Sequence, residues 1–81
     1  MNPHFASLVV GLAAQAESAL GGTLPPEVAG KGDPRHLAQM LIDTLAMLEE
    51  KTVGRLDGDE SRLLGETLTA LRFRFVSGKN G

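Results

Sequence analysis

A chain of 81 residues with a formal net charge of −2, three Phe, no Trp, no Tyr and no Cys makes one domain and excludes several function classes. At this length about 60 to 65% of the unfolded chain's surface is buried on folding. The missing cysteine removes disulfides and thiolate metal sites, and no surplus of positive charge draws in nucleic acid or an anionic membrane. Assembly with another subunit is the remaining route to added stability.

Asn2 followed by Pro3 predicts a helix start, because Asn caps free backbone N–H groups and Pro suits the first turn. The first helix is expected over about residues 3–20. Phe5, Val9, Leu12, Ala16 and Ala19 recur at helical spacing, flanked by Leu8 and Leu20. Between Phe5 and Ala16 there is no charge, and Val10 and Ala14 fall on the side opposite the stripe. A helix apolar on two sides predicts a second buried surface, and therefore a partner. Glu17 alone marks its polar side, so a membrane-surface helix, which normally carries Lys and Arg there, is not expected. No Lys or Arg precedes Lys31 and the apolar stretch is too short to span a bilayer. A cytoplasmic location is expected.

Residues 21–33, rich in Gly and Pro, read as a connecting loop. Asp33-Pro34 repeats the cap-plus-proline start, and the second helix is expected over 34–53, ending at Gly54. Leu37, Leu41, Leu45 and Leu48 form its inner stripe. Met40 and Met47 widen that stripe on one side and Ile42 on the other, which predicts contact with two neighbours. Asp57 with Glu60 three residues on fits a capping box and opens a third helix over 58–76. Leu64, Leu68, Leu71 and Phe75 line its core face. Phe73 falls almost opposite, near Thr69 and Val76, and reads either as a singly exposed apolar residue or as a subunit contact continuing the outer face of helix 1. Residues 77–81 read as a flexible tail.

The stretch from Ile42 to Val76 resembles a small bacterial all-helical family known only as domain of unknown function family 1844. The resemblance rests on Ile42-Asp43, Leu45 and Leu48, then Glu50-Lys51-Thr52, Gly54 and Leu56, and finally Leu71-Arg72-Phe73-Arg74-Phe75. The text of helix 1 is similar in pattern and position. Arg55 stands where the family often has Asn, and Asp57-Gly58 replaces a usual Thr-Pro, both in the loop and cap. The resemblance implies the helical architecture and no particular activity, substrate or ligand.

Glu50, Lys51, Thr52 and Arg55 gather around a glycine turn and could form a polar recognition corner with Asp57, Asp59 and Glu60. A structural account also covers them: Lys51 complements the helix dipole and Gly54 frees the exit. Asp43 could pair with Arg72 or Arg74 across helices 2 and 3. Arg72, Arg74 and Lys79, with Arg62 behind them, make a basic end that offers an alternative role as a nucleic-acid-binding accessory protein. The plainer reading is capping of the helix C-terminus. His4 and His36 open different helices, with Asp33 the nearest third candidate, so neither a metal site nor a cofactor is expected. No Ser, His and Asp set suggests catalysis.

The expectation is an all-α domain of three helices, with helices 2 and 3 as an antiparallel hairpin and helix 1 packed across them and into a dimer. The expected role is a non-catalytic interaction or scaffolding module, a homodimer through Phe5, Leu8, Val9, Val10, Ala14 and Phe73, with room for a further protein partner.

Overall fold

Three stop-start signals in the sequence divide the chain, and the computed structural model, which describes residues 1–21 and 33–77, follows them. Helix α1 runs over Pro3–Gly21, α2 over Pro34–Lys51 and α3 over Gly58–Ser77. Among the described residues there is no strand. The predicted loop lies outside the described residues over 22–32, and the predicted tail lies outside them over 78–81.

Each helix start is capped as its sequence dictates. The Asn2 side-chain carbonyl accepts from the backbone N–H groups of His4 (2.8 Å) and Phe5 (3.3 Å). Asp33, in extended conformation, accepts from the N–H of Arg35 at 2.9 Å ahead of Pro34. At α3 the capping box is reciprocal. Asp57 Oδ1 accepts from the Glu60 N–H at 2.8 Å, and Glu60 Oε1 accepts from the Asp57 N–H at 3.0 Å. Helix α2 ends at Lys51, two residues before the end expected, with Thr52 as its C-cap at φ −109° and ψ 12°, outside helical geometry. The Thr52 N–H and hydroxyl both donate to the Leu48 carbonyl, at 3.1 and 2.7 Å. Gly54 then takes φ +79°, a left-handed conformation that disfavours any side chain.

All three helices pack against one another. The core holds Val9 and Ala16 of α1, Leu41, Ile42 and Leu45 of α2, and Leu64, Leu68 and Leu71 of α3. Phe5, Leu12, Leu37, Leu48, Leu56 and Phe75 close over it, partly buried. The leucine stripes predicted for α2 and α3 are thus the faces used, and α2 meets both neighbours. Met40 and Met47 depart from expectation and are exposed. They sit on the rim of the apolar arc, and two neighbouring helices do not reach that far round α2.

Polar contacts fix the ends. The Asn2 N–H donates to Glu60 Oε2 at 2.7 Å, joining the starts of α1 and α3. Arg74 pairs with Glu17 at 2.9 Å, joining their ends. Arg35 lays its guanidinium 4.0 Å from the Phe75 ring centroid and donates to the Phe75 carbonyl at 3.0 Å.

Candidate functional site

The candidate site is assembled from α1 and α3. Asn2 meets Glu60 and Glu17 meets Arg74, separations of 58 and 57 residues. This register sets Val10 level with Thr67 and Leu68. Val10 precedes Glu17 by two helical turns and so shares the flank that Glu17 turns toward α3. Four residues before Arg74, Ala70 continues the surface toward Phe73. Val10 is exposed on α1, and Ala70, Phe73 and Arg74 are exposed on α3.

Phe73 is 72% exposed and Val10 is 56% exposed. Beside Phe73 lies an open hollow of about 520 Å³, almost wholly apolar, lined by Gly65, Glu66, Thr69, Ala70, Phe73 and Arg74. Every lining residue belongs to α3. Leu8 and Ala14 are exposed, and Phe5 is half-buried against the core. Val9 corrects the expected subunit face: at 0% exposure it is part of the protomer core, because it falls on the stripe that carries Ala16. A residue buried inside one protomer cannot also meet a second.

The side chains of the predicted polar corner lie mostly on the surface. Glu50, Lys51 and Arg55 are exposed, and the Thr52 hydroxyl is taken up by the Leu48 carbonyl. A small cleft of about 180 Å³ at this turn is lined instead by Glu49, Thr52, Val53, Gly54, Leu56, Ser61 and Leu64. Arg72 and Arg74 also part company. Two residues apart on a helix lie about 200° apart around its axis. Arg74 accordingly reaches Glu17 on α1, while Arg72 borders a cleft of about 150 Å³ beside Asp43 of α2. Asp43 accepts from Gln39 at 2.9 Å; of its two expected partners, Arg74 pairs with Glu17 and Arg72 shares this cleft with it. His4 and His36 are exposed, and among the described residues no three His, Cys, Asp or Glu groups stand together in a way that could hold a metal ion.

Electrostatic perturbation is concentrated at the start of α3. The Glu60 N–H donated to Asp57 holds that carboxyl below its ordinary value of 3.8, with the Met1 amino group, 3.2 Å away, adding to the effect. The same contact raises the amino group above its ordinary 8.0. A carboxylate with a depressed folded-state pKa contributes stability that is present above its unfolded value and lost as pH falls through the folded one. Thermal melts of the wild-type chain are therefore expected to drop on acidification below about pH 4. Asp57→Asn, which keeps a capping side chain, should show a shallower drop over the same interval. Parallel curves for the two would exclude Asp57 as a contributor.

Sequence reasoning missed two features. The tie from Asn2 to Glu60 joins groups 58 residues apart and leaves no local signal. The hollow beside Phe73 did leave one: Gly65, Thr69 and Ala70 are small residues on the exposed side of a helix otherwise lined with leucine.

Among the described residues no helix is long and apolar enough to cross a membrane. No curated protein and no solved structure matches the chain. The family described as Domain of unknown function (DUF1844) matches residues 2–77, so the chain belongs to that family, as its Ile42–Val76 text and helix 1 pattern predicted.

Proposed function

We propose that this chain is a non-catalytic, homo-oligomeric interaction or scaffolding module, and that it associates through the face shared by α1 and α3. The observation that carries this reading is Phe73, an aromatic ring left in water beside an apolar hollow in a chain with only three Phe. Full burial of such a side chain is worth about 1.5 to 3 kcal/mol, which association recovers. Exposed Val10 and Ala14 extend the same face. In this reading α2 and α3 form an antiparallel hairpin, supported by Arg35 at the start of α2 touching Phe75 at the end of α3. The divergence of Arg72 from Arg74 supports association between chains over a basic nucleic-acid surface.

Val10→Asp tests the reading. Sedimentation at micromolar concentration is expected to show a dimer for the wild type and a monomer for the variant, with helical circular dichroism retained in both. A variant that sediments as the wild-type dimer would remove the α1 face from the contact.

A further inference from the structure

The four residues beside Phe73 have a specific relation. Gly65, Glu66, Thr69 and Ala70 stand at i, i+1, i+4 and i+5, two adjacent pairs one turn apart that bound a gap on the helix surface. Phe73 lies on the same line of the helix, two turns beyond the middle of Gly65 and Glu66, and points outward as a knob. The gap is open because three of its members, Gly65, Thr69 and Ala70, are small. A Cβ added at Gly65 would meet nothing within 4 Å, so this space is left open by the protomer's own packing. Glu66 stands at one end of the hollow, and Arg74, one of whose guanidinium nitrogens holds Glu17 of its own chain, stands at the other.

A helix that carries a knob and a hole in tandem, with opposite charges at the two ends, is complementary to itself when turned end for end. We propose that the occupant of the hollow is Phe73 of a second copy, the two α3 helices pairing antiparallel about a two-fold axis near Thr69. An isologous contact of this kind satisfies both copies at once and closes the assembly at two. Residues whose numbers sum to about 140 then lie opposite one another. Phe73 enters the hole, Glu66 faces Arg74 of the other copy, and Thr69 sits near the axis. Val10 and Ala14 of each α1 border the contact on the flank where Arg74 stands. This assignment rests on the homo-oligomeric reading above and adds its geometry.

The absence of native cysteine makes the test direct. Thr69→Cys places one thiol per chain near the axis, and a disulfide forms only when the two Cα atoms come within about 7 Å. Under mild oxidation the full-length Thr69→Cys chain is expected to run as a covalent dimer, while Leu8→Cys, on a different flank of α1, does not. Phe73→Ala is expected to weaken dimerisation by about 30-fold, the equivalent of losing a hot-spot side chain. Gly65→Leu, whose added Cβ meets nothing within 4 Å in its own protomer, fills the hole and should yield a monomer of unchanged helicity. If the wild type sediments as a dimer but Leu8→Cys links and Thr69→Cys does not, the antiparallel α3 contact is wrong and the homo-oligomeric reading stands. A dimer insensitive to both Phe73→Ala and Gly65→Leu likewise rules out that contact alone. A wild-type monomer at these concentrations overturns both.

Discussion

Replacing Leu45 with Ala is expected to cost about 2 to 5 kcal/mol, because the side chain is fully buried and its loss leaves a cavity that three packed helices cannot close. Leu45 occupies the middle of α2, the helix that packs against both others through Leu41, Ile42 and Leu45. Leu68, at the corresponding depth of α3, should behave alike. For a chain of 81 residues, total stability is on the order of 4 to 12 kcal/mol, so either substitution removes a large share of it. The thermal midpoint should fall by about 10 °C or more. Met47→Ala is the control: its side chain is exposed, and its cost should stay near the ±0.5 kcal/mol typical of surface positions. Urea unfolding followed by circular dichroism measures all three. A Leu45→Ala variant as stable as Met47→Ala would mean that the α2 stripe is not the core.

The second large effect is expected at Glu60, the one buried charged side chain among the described residues, at 8% exposure. One carboxylate oxygen accepts from the Asp57 N–H and completes the capping box. The other accepts from the Asn2 N–H and holds the start of α1 against α3. Glu60→Ala removes both acceptors and strands two backbone donors. Loss of a cap costs about 0.5 to 2 kcal/mol and an unsatisfied donor about 1 to 3 kcal/mol if water does not replace the partner. A net loss of about 2 to 3 kcal/mol is expected, since both donors lie at a helix end that water reaches in part. Glu60→Gln keeps one acceptor oxygen and sets an amide NH2 against the other backbone donor, so about half of that loss is expected. Equal losses for Ala and Gln would place the effect in the charge and not in the hydrogen bonds.

Much of this architecture was legible because the sequence states the same thing at several levels. Asn2-Pro3, Asp33-Pro34 and Asp57 with Glu60 are start signals whose partners lie within three residues, so local chemistry alone determines them. The leucines of α2 and α3 repeat at helical spacing and define their faces without knowledge of what covers them. Legibility ended where a residue's fate depends on distant chain. Met40 and Met47 satisfy the helical pattern as well as Leu48 does, yet are exposed, because among the described residues no third helix reaches their side of α2. Val9 satisfied both the core stripe and the proposed outer face, and only packing decides for the core. Glu17 took Arg74 from Asp43 because α1 settles against that flank of α3, an arrangement no local spacing encodes. The exposure of Phe73, by contrast, follows from its position opposite Leu64, Leu68 and Leu71.

One protomer leaves Val10, Ala14 and Phe73 exposed, and the proposal that a second copy covers them stands or falls on the mass of the wild-type chain in solution. Sedimentation equilibrium at micromolar concentration supplies that mass. The expected value is that of two 8.5 kDa chains. A single 8.5 kDa species across that concentration range would contradict it.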